Sequence, residues 1–181
     1  GELKGIVLDL RNNPGGVLQA SAKVVDAFIE QGRIVYTKGR LEGNDLEFSA
    51  NLSTLAPDVP LVVLINNGSA SASEIVAGAL QDHGRAVVMG TQSFGKGSVQ
   101  TLLPLDGSRA IKLTTSLYYT PSGRSIQAQG ITPDIIVDDA FVTRRSRSIS
   151  QYTEADLLGR LDNGNGAEVV ESDQEMAEVL I

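Results

Sequence analysis

Two short apolar runs constrain this chain most, because each is broken by a loop of small and polar residues and followed by a helical pattern. Residues 5–10 (Gly-Ile-Val-Leu-Asp-Leu) and 61–65 (Leu-Val-Val-Leu-Ile) are almost continuously apolar, as strands covered on both faces should be. After the first comes Arg11-Asn12-Asn13-Pro14-Gly15-Gly16, where Asn, Pro and paired Gly are loop chemistry. A helix is predicted over 17–31, with Val17, Val24, Val25, Phe28 and Ile29 at helical spacing and Gly32 at the C′ position. After the second run, Asn66-Asn67-Gly68-Ser69-Ala70 makes a turn and a small-residue helix follows over 71–82, ended by Gly84. Loops at the strand ends of one sheet can face each other across a cleft.

The rest of the pattern extends this alternation. Strands are predicted at 34–37 and 86–89, and residues 39–60 suggest a strand or two and a loop. Residues 98–105 and 110–119 form a hairpin through Asp106-Gly107, with Ile111, Leu113, Thr115 and Leu117 on one face. A last short strand is expected at 135–137. Strands alternating with helices over 1–139 indicate an α/β domain, and the character changes after Asp139. The tail, 140–181, carries Arg144, Arg145 and Arg147, a short helix predicted over 153–161, and a capping-box pair, Ser172 with Glu175, for a terminal helix. The chain opens without Met and runs at once into a strand, so it is read as a piece of a longer polypeptide.

Charge and composition exclude several chemistries. There is no Cys and only one His in 181 residues, so neither a zinc finger, a cysteine nucleophile nor a multi-histidine metal site can be built. A formal charge of -7 argues against a general nucleic-acid binder, whose affinity comes from clustered Lys and Arg. No run approaches the roughly 20 apolar residues of a membrane helix.

Three loops remain as candidates for chemistry. Ser69, Ser71 and Ser73 surround a strand-to-helix turn, where a helix N-terminus offers free N–H groups for an oxyanion. Ser71-Ala72-Ser73-Glu74 equally fits a capping box, and caps are far commoner than nucleophiles. His83 is a poor base for Ser71: it lies twelve residues later along the predicted helix, about 18 Å at 1.5 Å per residue. Lys96 in Gly95-Lys96-Gly97-Ser98 is the remaining base. A lysine takes a proton only when neutral, which proteins arrange by burial, and Phe94 with nearby strands is expected to supply it. Gln100 is placed to hold the amine by hydrogen bonding. Gly90 to Lys96 also matches the start of a phosphate-binding loop, but Gly97 stands where Ser or Thr is required and a β-like segment follows instead of a helix. In the Pro-Gly-Gly loop, an amide of Gly15 or Gly16 can complete an oxyanion hole with that of Ala72.

Taken in order, Leu8-Asp9-Leu10-Arg11-Asn12-Asn13-Pro14-Gly15-Gly16, Asn67-Gly68-Ser69-Ala70-Ser71-Ala72-Ser73-Glu74-Ile75, Gly95-Lys96-Gly97-Ser98-Val99-Gln100, Tyr119-Thr120-Pro121-Ser122-Gly123-Arg124-Ser125-Ile126-Gln127 and Gly130-Ile131-Thr132-Pro133-Asp134 closely resemble the C-terminal processing peptidases, or tail-specific proteases. The resemblance covers about residues 3–138. It implies an α/β fold of the Clp-protease and crotonase type, with a mixed sheet flanked by helices and short helices in the tail. It implies a serine endopeptidase with a Ser-Lys dyad, Ser71 and Lys96, supported by Gln100, and an oxyanion hole from the amides of Ala72 and Gly16. Ser69 and Ser73 are then structural. No metal or cofactor is implied. The implied partners are protein or peptide substrates cut near their C-termini, in a periplasmic or otherwise extracytoplasmic parent for which membrane association and a homo-oligomer stay open. The family's PDZ domain and the first strand and helix of its core have no counterpart in these residues. A truncated, non-catalytic scaffold and a crotonase-like acyl-CoA enzyme remain as alternatives.

Overall fold

The computed structural model describes residues 3–40, 45–51, 54–137, 141–144 and 177–180, and the chain divides into two compact units, Gly1–Val137 and Asp138–Ile181. In the first unit, β1 (Ile6–Asp9), β4 (Leu61–Ile65), β5 (Val87–Gly90) and β8 (Ile135–Ile136) form a parallel sheet in the order β1-β4-β5-β8. A second, antiparallel sheet has the order β3-β2-β7-β6, from β2 (Arg33–Gly39), β3 (Glu47–Ser49), β6 (Ser98–Pro104) and β7 (Ala110–Tyr119). Helices α1 (Leu18–Asp26) and α2 (Ala72–Asp82) pack with these sheets among the described residues. In the second unit β9 (Phe141–Arg144) pairs antiparallel with β10 (Ala177–Leu180). The capping-box pair Ser172 and Glu175 lies outside the described residues, but Ala177–Leu180, expected to belong to a terminal helix, form a strand in which Val179 and Leu180 pair with Val142 and Phe141. The helix predicted over 153–161 lies outside the described residues.

Among the described residues the parallel sheet is covered on one face only, contrary to the expectation from its apolar runs. Leu61, Val63, Ile65 and Val88 share a buried cluster with Val25 of α1, with Ile29 just after that helix and with Ile75, Ala79 and Leu80 of α2. The alternate residues of the same strands point the other way, and Val7 is 65% exposed there. Apolar character on both faces therefore marks residues that the sheet itself does not yet bury among the described ones. The helix predicted over 17–31 stops at Asp26, because the Ala27 carbonyl accepts Leu55 N–H (2.8 Å) instead of continuing the ladder. Its buried stripe is Ser21, Ala22 and Val25, so Val17 and Val24 face solvent. Helix α2 is buried from Ala72 to Leu80, and its small residues Ala72, Ala77, Gly78 and Ala79 allow close approach from every side.

The far end of α2 is clamped to the 120–134 loop. Gln81 Nε2 donates to the Thr132 carbonyl (2.9 Å) and to Asp134 Oδ1 (2.8 Å), and Arg124 Nη2 donates to Gln81 Oε1 (2.9 Å) and forms an ion pair with Asp82. Burial alone would raise the Asp82 carboxyl, but hydrogen bonds from Thr120 and Ser122 and the Arg124 charge outweigh it and hold it below its ordinary range. A lowered folded value stabilises the protein above the unfolded carboxylate range and loses that contribution as pH falls through the folded value. The midpoint of thermal unfolding is therefore expected to fall below about pH 4. Asp82→Asn should flatten that acid limb while lowering the neutral-pH midpoint, measured by circular dichroism across about pH 2–7.

Candidate active site

The loop at the end of β4 and the loop at the end of β1 are stitched into one structure. Asn12 N–H donates to Asn66 Oδ1 (2.9 Å) and Asn66 Nδ2 donates back to Asn12 Oδ1 (3.0 Å). Ser69 Oγ donates to the Leu10 carbonyl (2.8 Å) and accepts Asn66 N–H (3.0 Å). The Asn13 carbonyl accepts both Ala70 N–H (3.0 Å) and the Ser73 hydroxyl (3.0 Å). Ser69 and Ser73 are buried, so their hydroxyls are spent on holding the two loops together. The pairing asparagines were visible in the sequence only as turn formers; their mutual bonds join positions 54 residues apart.

Ser71 is the residue this framework presents. It is the N-cap of α2, with φ 56° and ψ -115°. A non-glycine residue in such a region costs about 1–3 kcal/mol and persists only where its surroundings over-determine it. Here they do. Ser71 N–H donates to Glu74 Oε2 (2.7 Å), and the Ser71 carbonyl accepts Glu74 N–H (2.9 Å) and Ile75 N–H (3.0 Å). The capping-box carboxylate predicted from the spacing is thus in place, and it secures a strained serine rather than an ordinary helix start.

Glu74 does more than cap. Its side chain is fully buried, and besides Ser71 N–H it accepts the Ser93 hydroxyl (2.6 Å), Gly95 N–H (2.6 Å) and Lys96 N–H (2.9 Å). One oxygen, Oε2, therefore accepts the backbone amides of both Ser71 and Lys96, which brings the two predicted dyad residues to one point through their main chains. Ser93 Oγ also accepts Ile131 N–H (2.6 Å), and Phe94 N–H donates to the Ser69 carbonyl (3.0 Å). Neither Ser93 nor this wider role of Glu74 is legible in the sequence. The Glu at N3 was the one available signal, and it showed only the local half of the contact.

The side chains on the Lys96 loop point outward. Gly95 and Gly97 are buried, whereas Lys96 and Gln100 are exposed and Phe94 is 68% exposed. The expectation that Phe94 and nearby strands bury the Lys96 amine is therefore not met by the described residues. Instead the loop buries its backbone: a Cβ on Gly97 would lie 2.3 Å from Gln127 N and 2.9 Å from Gln127 Cα. No hydrogen bond joins Lys96 Nζ to the Ser71 hydroxyl or to Gln100 among the described residues. Gln100 sits at a register shift between Val99 and Gln100 in the β6–β7 pairing, a bulge that re-aims side chains at the start of β6. Because Gly97 is held against backbone, Gly97→Ala must displace the Lys96 loop. We expect a loss of about 3 kcal/mol in urea unfolding, near the top of the usual range for single substitutions.

The Pro-Gly-Gly loop reaches the same turn. A Cβ on Gly15, whose φ is +98°, would lie 2.6 Å from the Ala70 carbonyl oxygen, 2.8 Å from Ala72 N and 2.9 Å from Ser71 Cβ. Only glycine fits that approach. Gly15 N–H donates to Asn13 Oδ1 (3.0 Å), so its amide is engaged, while Gly16 stands in open space beside it. Asp9 and Arg11 brace the loop's entry through a bidentate pair (3.0 and 2.7 Å), and those bonds push the Asp9 carboxyl down to about 2. His83 is at the opposite end of α2 from Ser71, where its Nε2 lies 2.7 Å from the Arg33 carbonyl. The segment after Gly90 to Lys96 is strand β6, not the helix a phosphate-binding loop needs.

Residues 1–137 match the sequence profile described as Peptidase family S41. The chain is 53% identical over 172 residues to the carboxy-terminal-processing protease of Bartonella bacilliformis, covering 92% of this chain and 40% of that protein. It is 46% identical over 158 residues to the carboxyl-terminal-processing protease of Synechocystis, covering 85% and 36%. Among solved structures it resembles a photosystem II D1 C-terminal processing protease, with a TM-score of 0.70 and 38% identity over 75% of this chain and 35% of that one. The chain thus spans less than half the length of these relatives.

Proposed function

Because this chain belongs to peptidase family S41, we propose that it forms the hydrolytic core of a serine endopeptidase in which Ser71 is the nucleophile and Lys96 the base. The observation that carries the reading is the strained Ser71 at the head of α2, sharing one carboxylate oxygen with the Lys96 backbone. In the proposed reaction Ser71 Oγ attacks the peptide carbonyl carbon and its proton passes to Lys96 Nζ. The oxyanion is held by the amides of Ala72 and Gly16, the first at the positive end of α2 and the second beside the tightly packed Gly15. Lys96 then gives the proton to the leaving amine, the C–N bond breaks, and an acyl ester on Ser71 remains. Water attacks the ester and loses its proton to Lys96; the bond between the acyl carbon and Ser71 Oγ then breaks, Lys96 returns the proton to Ser71 Oγ, and the product carboxylic acid leaves.

Lys96 needs desolvation to serve as a base, and in the described residues it is exposed. A polypeptide laid over the Ser71 turn removes water from that amine, so activation accompanies substrate binding. Gln100 is assigned to orient the amine once it turns inward. Substrates are proteins cut near their C-termini, and the parent acts outside the cytoplasm; the names of the relatives support the first point. The exposed lysine equally favours a second reading, a scaffold of the same fold without turnover.

A serine-reactive fluorophosphonate separates the two. Treated chain digested and sequenced by mass spectrometry is expected to carry the label on Ser71 and not on the buried Ser69 or Ser73. Label spread over exposed serines, with Ser71 no more reactive than the rest, would favour the scaffold.

A further inference from the structure

Lys96 stands between two glycines, which place little steric limit on where its side chain points. Its direction therefore depends on what holds the two peptide planes that meet at its Cα. The first plane is held at both ends: the Gly95 carbonyl accepts Ala128 N–H (2.9 Å), and Lys96 N–H donates to Glu74 Oε2 (2.9 Å). The second plane carries Gly97 N–H, which donates to Gln127 Oε1 (3.2 Å). Beyond it the Gly97 carbonyl accepts Tyr118 N–H (2.7 Å).

Gln127 is thus the counterpart of Glu74 on the other side of Lys96. It closes the Tyr119 to Gln127 motif, none of whose residues enters the proposed reaction. The chain brings it there through a turn. Ile126 is buried, and its carbonyl accepts Gln129 N–H (3.2 Å) and Gly130 N–H (2.9 Å). Ala128, whose N–H reaches Gly95, is held at φ 59°, a left-handed conformation that costs a non-glycine residue energy. The approach that bars a Cβ from Gly97 is to the backbone of Gln127 itself, 2.3 Å from its N. Gln127 is an exposed residue, yet its carboxamide oxygen is committed to a buried glycine. Water can take the place of an exposed carboxamide, so this bond adds little to stability; what it adds is a fixed orientation.

We propose that Gln127 is a positioning residue for the reaction: it fixes the Lys96–Gly97 peptide plane and so keeps the Lys96 amine on the arc that reaches Ser71. It differs from Gln100, which is assigned to the amine itself. The proposal rests on Lys96 being the base.

The test is the rate of phosphonylation at Ser71 in wild type, Gln127→Ala, Lys96→Ala and the double variant, a cycle that isolates the coupling between the two residues. Gln127→Ala should slow labelling at least ~10-fold, because a misplacement of about 1 Å can cost ~100-fold. In the Lys96→Ala background the same substitution should change the rate by less than about twofold. The thermal midpoint of Gln127→Ala should stay within about 3 °C of wild type. Gln127→Met, which keeps the bulk but not the acceptor, should be as slow as Gln127→Ala. Equal slowing in both backgrounds overturns the proposal, since Gln127 then braces the whole site and not Lys96. Unfolding of both Gln127 variants overturns it as well, because the bond would then be structural. A Gln127→Ala rate within about twofold of wild type, with Lys96→Ala slow, overturns it and leaves the base assignment standing. A Lys96→Ala rate equal to wild type removes the base assignment and the proposal with it.

Discussion

Glu74→Ala is expected to destabilise the protein by about 3–5 kcal/mol and to abolish selective labelling of Ser71, because four donors lose one buried acceptor. Ser71 N–H, Gly95 N–H, Lys96 N–H and the Ser93 hydroxyl all converge on this carboxylate. The strain at Ser71 is then no longer over-determined, and the Lys96 loop is no longer tied to α2. Glu74→Gln tells more. Its NH₂ would face two backbone N–H groups at the Oε2 position, with no way to relieve either. At the Oε1 position it faces Gly95 N–H and the Ser93 hydroxyl, and only the hydroxyl can rotate to accept. The amide is expected to settle there at a cost of about 1–3 kcal/mol, one buried donor left unpaired. Urea unfolding checks the order, Ala worse than Gln, and wild-type stability in either variant would show that Glu74 does not hold the site together.

Lys96→Ala is expected to leave stability within about 0.5 kcal/mol, as for an exposed side chain, while cutting reaction at Ser71 by about 10²–10⁴-fold. The two readouts separate because the loop is held by the Lys96 main chain, not by its amine. Lys96→Arg keeps the charge and nearly the length but cannot give up its proton, so it should be as slow as Ala. Recovery of reactivity in Lys96→Arg would instead point to a purely electrostatic role.

Much of this arrangement was legible because its parts are local. The strand over 61–65 is observed as Leu61–Ile65, and the helix over 71–82 as Ala72–Asp82 with Ser71 at its cap. The hairpin through Asp106-Gly107 followed from a turn dipeptide, and Gly107 has the positive φ such a turn requires. What sequence could not show depends on distant segments meeting. Glu74 reads as a cap because only its contact three residues back is local; its bonds to Ser93, Gly95 and Lys96 span 19 to 22 residues. A lysine base needs burial, and Phe94 with nearby strands predicts it for Lys96, yet Gly95 and Gly97 are buried while Phe94 and Lys96 are exposed. An apolar run likewise cannot say whether one or both faces of a sheet are covered, and Val7 is 65% exposed among the described residues. Gly15 and Gly16 were equivalent in the sequence; only packing against Ser71 and Ala72 distinguishes them.

In the proposed mechanism Ser71 owes its reactivity to Lys96. The second-order rate constant for phosphonylation of Ser71, followed by intact-mass spectrometry in wild type and Lys96→Ala under identical conditions, tests it most directly. A fall of at least about 100-fold, with unfolding midpoints unchanged, is the predicted result. Rates within about twofold of each other would contradict it.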